Sequence, residues 1–252
     1  MGRQRDVRQE PSRRLVKEAT QVAERRIVLA ALAVAGIAGP ILFTVAFVAQ
    51  GLLRPDYSPV AEPVSALAVG PNGWVQDVNF FVLGSLLLAY AVGLHLGVRP
   101  ARAGMVGPAL LAVSAAGILL AGVVPMRQGT GGLTYEPAGH EVAAFMIFLG
   151  AGAGLMAISR RLAADPRWRS LAASALAAGA TIVVLFLAIG VLASTPDAPF
   201  YSWFGLAQRV LIAVYVPCTI VLALRLLRVA STTDAKRWST SPVEPGSQVP
   251  VD

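Results

Sequence analysis

Polar groups that interrupt long apolar runs are where this chain could do chemistry. His140 and Glu141 open one such run, Gln76, Asp77 and Asn79 open another, and Gln208 and Arg209 stand near the start of a third. Residues three apart share one helix face, so Gln76 and Asn79 are expected side by side, with Asn79 roughly 7 Å below Trp74. Arg209 falls about 9 Å below Trp203 on the same arithmetic. A guanidinium at that depth costs about 2.5 kcal/mol or more unless it snorkels or finds a partner. Its expected partners are Asp77, Glu141 and Glu62, with Asp77 and Glu141 leading. His140 reads first as a neutral imidazole hydrogen-bonded at a helix mouth, and otherwise as a general base or a metal ligand. Ser65, in the stretch Pro63-Val64-Ser65-Ala66-Leu67, completes the candidate pocket of Ser65, Gln76, Asp77, Asn79, His140, Glu141, Gln208 and Arg209.

Several chemistries find no support in the sequence. Ser65 lacks a GxSxG setting, and Ser, His and acid residues in different segments do not make a triad without geometry. Two histidines are too few for a rich metal cluster, and His95 has no companions. The lone cysteine, Cys218, has no partner for an intrachain disulfide or a CxxC motif. No P-loop or dinucleotide fingerprint occurs in a strand-to-helix context. Neither a cofactor nor a metal is expected.

The elements that must position these residues are hydrophobic helices. Six stretches of mainly apolar residues are each long enough to cross a ~30 Å hydrocarbon core. They run from Ile27 to Gly51, Val75 to Gly97, Gly104 to Val124, Gly139 to Ser159, Ser170 to Ala193 and Trp203 to Leu227. Hydrophobic residues make up 56% of the chain and charged ones 14%, too little charge to cover the surface of a soluble domain. The expected fold is therefore all-α, a polytopic membrane bundle of six transmembrane helices.

The basic residues separate across this ladder. Eight precede Ile27, from Arg3 to Arg26; Arg99 and Arg102 lie in the second connection, Arg160, Arg161, Arg167 and Arg169 in the fourth, and Arg225, Arg228, Lys236 and Arg237 at the end. Only Arg54, Arg127 and Arg209 of the 21 Lys and Arg residues fall on the other side. The bias predicts both termini in the cytoplasm of a cell-membrane protein. The net charge of +7 is thus read as a topology signal that also meets anionic lipid, and no nucleic-acid partner is expected.

Residues 1–26 form a basic cytoplasmic tail, 27–227 the six-helix membrane domain and 228–252 a disordered cytoplasmic tail. Ser12-Arg13-Arg14-Leu15-Val16-Lys17 weakly resembles a twin-arginine signal, but the following apolar run is too long and no A-x-A site follows, so an uncleaved first helix is expected. Leu15, Ala19, Val22 and Ala23 allow the tail to lie as an interfacial helix or as a solvated basic arm. Outside, Pro125 to Ala138 and Ser194 to Ser202 are connections; Trp74, Tyr201 and Trp203 read as an aromatic belt.

The first external connection carries a resemblance. Gly51-x-x-Arg54-Pro55-x-Tyr57-Ser58-Pro59, then Pro63 to Leu67, then Gly70-Pro71-x-Gly73-Trp74-Val75-Gln76-x-x-Asn79-Phe80, with His140 and Gln208-Arg209 further on, resembles the domain-of-unknown-function family 998. The resemblance covers about Ile27 to Leu227 and implies an integral six-helix membrane fold of a kind common in actinobacteria, with no established activity. Pro125-Met126-Arg127-Gln128 departs from the family pattern by lacking an acid, so no metal or acid–base role is carried over to it.

Three functional classes stay open. The first is a noncatalytic protein binding a lipid, a small ligand or an envelope partner through a polar pocket on the extracytoplasmic face. The second is a small transporter or permease component, and the third a membrane hydrolase or lipid-modifying enzyme using His140 with nearby acids. The second, fourth and sixth helices begin at the external face, so their positive dipole ends, with Arg54, Arg127 and Arg209, could hold an anionic lipid head group. Gly150-x-x-x-Gly154 permits close helix contact within the bundle or between two copies in a homo-oligomer.

Overall fold

The computed structural model describes residues 3–99, 104–128, 134–135, 138–193 and 202–232. Within them six long helices are present: α1 (Arg3–Leu53), α2 (Trp74–Gly97), α3 (Val106–Val123), α4 (Ala138–Ala164), α5 (Ala172–Ala193) and α6 (Phe204–Thr232). Each is long and apolar enough to cross a membrane. A 3-10 turn at Val64–Ala68 lies in the first connection, where the sequence allows one turn between flanking prolines. Another, at Arg169–Leu171, leads into α5. The third connection, between α3 and α4, contains a two-residue antiparallel pairing of β1 (Arg127–Gln128) with β2 (Thr134–Tyr135).

Helix α1 is longer than its apolar run. Residues between Ser12 and Arg26 are mostly Ala, Glu, Lys, Arg and Leu, strong helix formers, so the basic stretch continues the membrane helix without a break. Helix α6 likewise runs on to Thr232; the rest of the carboxy-terminal tail lies outside the described residues, as does Tyr201.

Each helix packs on its neighbours in sequence and α6 returns to α1, closing a ring, with α2 also reaching α6 across it. Close approach depends on small residues. A Cβ at Gly150 would lie 2.9 Å from the Ser114 backbone nitrogen, and one at Gly154 would lie 2.9 Å from the Leu111 side chain, so the GxxxG pair is spent inside the bundle, against α3. Gly152 and Gly179 do the same between α4 and α5, where a Cβ on Gly179 would stand 2.5 Å from the Gly152 carbonyl oxygen. Ser114 adds a hydrogen bond from its Oγ to the Ile147 carbonyl (2.8 Å).

The outer surface is apolar. Val34, Val45, Val92, Val184 and Val191 are all exposed, and α5 buries only Ala175, Gly179 and Ile182. Such a surface is stable against lipid chains and not against water. Trp74 and Trp203 are exposed at the starts of α2 and α6, at the same end of the ring.

Candidate functional site

The first connection folds back as a roof over one end of the ring. Pro55, Pro59 and Pro63 interrupt regular backbone hydrogen bonding, which leaves the carbonyls of residues 59–66 in need of other donors. Helix α6 supplies most of them. The amides of Gly205 and Leu206, free at the helix start, donate to Ala61 (3.1 Å) and Val60 (2.9 Å). Gly205 is required for this approach, since a Cβ there would stand 2.2 Å from the Glu62 carbonyl oxygen.

Arg209 is the centre of the fastening. Its Nη1 donates to the carbonyls of Pro59 (2.6 Å), Glu62 (2.9 Å) and Gly205 (3.0 Å), and its Nη2 to the Tyr57 phenol oxygen. The guanidinium also lies over the rings of Tyr57 and Phe47, 5.5 and 6.0 Å from their centroids. Tyr57 in turn donates to the Pro63 carbonyl (3.0 Å). Burial pushes the Tyr57 phenol above its ordinary pKa, while Arg209 pulls it back, so it remains a neutral donor. On the other side of the roof Arg54 donates to the Ala66 carbonyl (3.1 Å). Gly70, at φ 82°, leaves room for that side chain.

The expected ion pair of Arg209 with an acid is therefore replaced. Its partners are backbone carbonyls and a phenol, which satisfy the guanidinium from the roof above without a second buried charge. Arg54 and Arg209 spend donors on the roof, as do the first amides of α6, leaving less of this face to an anion than the sequence suggests.

Beneath the roof the ring encloses a cavity of about 80 Å³, walled by α1, α2, α3, α4 and α6. Its surface is mainly apolar, with Phe43, Leu83, Ile118 and Ile147 among the walls, and its polar contributors are Ser65, His140, Gln208 and Tyr215. Their orientations are fixed. His140 Nδ1 lies 2.7 Å from the Val124 carbonyl oxygen. That oxygen can only accept, so Nδ1 carries a proton and Nε2 is the ring nitrogen left for another partner. Gln208 accepts the Val64 N–H through Oε1 (2.7 Å), which leaves its two amide hydrogens for another partner. Ser65 donates to Met126 Sδ (3.0 Å).

The predicted pocket residues thus divide. Ser65, His140 and Gln208 line the cavity together. Gln76 and Asn79 are buried side by side as their spacing requires, but outside the cavity wall: Asn79 donates to Gln76 Oε1 (3.3 Å) and to the Phe43 carbonyl (3.2 Å), tying α2 to α1. Asp77 is half-buried, and its Oδ1, like Gln76 Nε2, is buried with no hydrogen-bond partner among the described residues. Glu141 is exposed and turns away. Arg209 holds the roof. Tyr57, Met126 and Tyr215 were not singled out as site residues; only Tyr57 had a signal, its place in the Arg54-Pro55-x-Tyr57-Ser58-Pro59 pattern. Among the described residues no group of three His, Cys, Asp or Glu side chains converges to hold a metal.

A ring of lipid-facing helices with a roofed end defines an integral, multi-pass membrane protein. The model of a family described as "Protein of unknown function (DUF998)" matches residues 37–225, and the chain belongs to that family. No curated protein matches the chain, and no solved structure does.

Proposed function

We propose that this protein is a membrane-embedded binding protein whose central cavity receives the oxygen-bearing end of a slim, uncharged amphiphile. The observation that carries the reading is that one mainly apolar cavity is lined both by His140, whose Nε2 is the ring nitrogen left free by the Val124 carbonyl, and by the Gln208 amide, which offers donors. A hydroxyl or carbonyl satisfies one or both; a carboxylate or phosphate does not suit the site, because the nearest guanidiniums, Arg54 and Arg209, are committed to the roof. The volume supports a small guest. A cavity of about 150 Å³ takes up benzene, so about 80 Å³ admits a branched chain of a few carbons. The eighteen-to-three bias of basic residues supports an orientation with the roof outside and both termini in the cytoplasm.

Purified protein in nanodiscs, irradiated with a diazirine-bearing prenyl alcohol, tests the binding. Crosslinks are expected at Ile147, Phe148 and Ile212. Ala144→Phe, which fills the cavity, lowers that labelling roughly tenfold with the fold retained. Labelling confined to outer residues such as Val184 and Leu187, or unaffected by Ala144→Phe, overturns the reading. For orientation, cysteine at Ser58 in a Cys218→Ala background reacts with an impermeant reagent from outside intact cells, and cysteine at Ser231 does not; the reverse pattern inverts the protein.

A further inference from the structure

The end of the bundle opposite the roof holds a second cavity, of about 450 Å³, between α1, α2, the turn after α4 and the last part of α6. Five guanidiniums border it: Arg25, Arg26, Arg99, Arg161 and Arg167. Two of them are built into the fold. Arg161, 4% exposed, donates to the carbonyls of His95 (2.7 Å), Arg99 (2.9 Å), Gly104 (2.6 Å) and Val98, closing the carboxy-terminal end of α2. Arg167 donates to the Gly97 carbonyl (3.1 Å) and pairs with Asp165 at 2.7 Å. Asp165, 1% exposed, is fully engaged, since it also accepts the backbone N–H groups of Arg99 (3.0 Å) and Arg167 (3.1 Å). Arg26 reaches the end of α6, at Ala230 (3.1 Å) and Ser231 (2.9 Å). The side chains of Arg25 and Arg99 are exposed and have no hydrogen-bond or ion-pair partner among the described residues.

The charge does not balance. Arg26 aside, the guanidiniums of Arg25, Arg99, Arg161 and Arg167 stand against one carboxylate and the carboxy-termini of α2 and α4, about −0.5 each, which leaves an excess of about two positive charges. The fold holds this excess in place through Arg161 and Asp165, and among the described residues no carboxylate lines the cavity. Apart from His95, the other side chains bordering the cavity, Leu29, Leu96 and Val229 among them, are apolar, and Leu96 is 44% exposed in the last turn of a membrane helix. A basic rim above an apolar wall at the membrane boundary matches a phosphate that carries hydrocarbon chains.

We propose that this cavity binds the head group of an anionic phospholipid, with Arg25 and Arg99 as the guanidiniums that close on phosphate and Leu29 and Leu96 against the first carbons of the chains. An excess of about two charges favours a lipid with two phosphates over one with a single phosphate. The site is independent of the roofed cavity and of which ligand enters it.

The test uses the full chain in phosphatidylcholine nanodiscs, with native mass spectrometry and thermal unfolding as readouts. Cardiolipin is expected to stay bound and to raise the unfolding temperature. Arg25→Gln with Arg99→Gln weakens cardiolipin binding roughly tenfold or more, and leaves the unfolding temperature in pure phosphatidylcholine unchanged. Arg14→Gln with Arg160→Gln, which removes the same charge from exposed positions outside the cavity, retains binding within about twofold. Equal losses in the two double variants overturn the site in favour of general surface charge. Pyrophosphate that stabilises detergent-solubilised protein as well as cardiolipin does makes it a soluble-anion site and overturns the lipid assignment.

Discussion

Removing the Arg209 guanidinium while keeping its stem, as Arg209→Met does, should open the roof without emptying the core. Hydrogen bonds to a charged donor are each worth about 1.5–3 kcal/mol. The Pro59 bond is exposed and rehydrates at little cost and the Gly205 bond stays within α6, whereas those to Glu62 and the Tyr57 phenol are half-buried and reach the roof. Counting those two at the lower bound gives about 3 kcal/mol, a factor on the order of a hundred in the roof's opening equilibrium. Ser65, 4% exposed, reports that equilibrium directly. In a Cys218→Ala background, Ser65→Cys should be shielded from a soluble maleimide when Arg209 is present and modified on the order of a hundred times faster in Arg209→Met. Arg209→Lys should fall between, because one ammonium cannot span three carbonyls and the phenol. Labelling of Ser65→Cys that is equally slow in all three backgrounds, in protein shown to be folded, would falsify the assignment of Arg209 as the fastening of the roof.

Two further outcomes follow from the packing and the charges. Burial pushes the Asp165 carboxyl up, but hydrogen bonds from Arg167 and from the amides of Arg99 and Arg167 outweigh it and hold its pKa at about 2, against an ordinary 3.8. A depressed carboxylate stabilises above its unfolded value and loses that contribution as pH falls, so about 2 kcal/mol should disappear between about pH 4 and pH 2; Asp165→Asn, unfolded thermally in detergent, should lack this acid limb, and an unaltered limb contradicts it. Gly150→Ala places a methyl 2.9 Å from the Ser114 nitrogen and 3.0 Å from the Leu110 carbonyl oxygen, both backbone atoms that cannot step aside. It should destabilise by about 1–3 kcal/mol, whereas Gly190→Ala, with nothing within 4 Å, should not; equal melting of the two disproves the close contact.

The fold was largely legible because the bilayer imposes it. A helix in hydrocarbon announces itself by length and composition, and the six runs read from the sequence coincide with the six helices, apart from end extensions at Arg3, Ala164 and Thr232. The face shared by Gln76 and Asn79 followed from helical spacing alone. The partners of Arg209 did not, because backbone carbonyls carry no letter in the sequence; a search for a matching acid turned to Asp77 and Glu141 when the answer lay in three prolines that leave oxygens unpaired. Glu141 illustrates the complementary limit. It adjoins His140, yet one step along a helix turns a side chain by 100°, and the two residues face different surroundings.

The ring closes between its first helix and its last, and this has a consequence for how the protein is made. Arg26 meets Ala230 and Ser231 at one end, Arg209 meets the roof at the other, and α6 supplies a wall of the central cavity. As the chain emerges from the ribosome, the segment from Arg54 to Gly73 is made early and waits through four more helices before its anchors on α6 exist. Neither the cavity nor its cover is present in any nascent chain shorter than about residue 216. A premature stop in α6 therefore yields an inserted ladder of helices with an unprotected loop, a substrate for membrane quality-control proteases rather than a partly working protein.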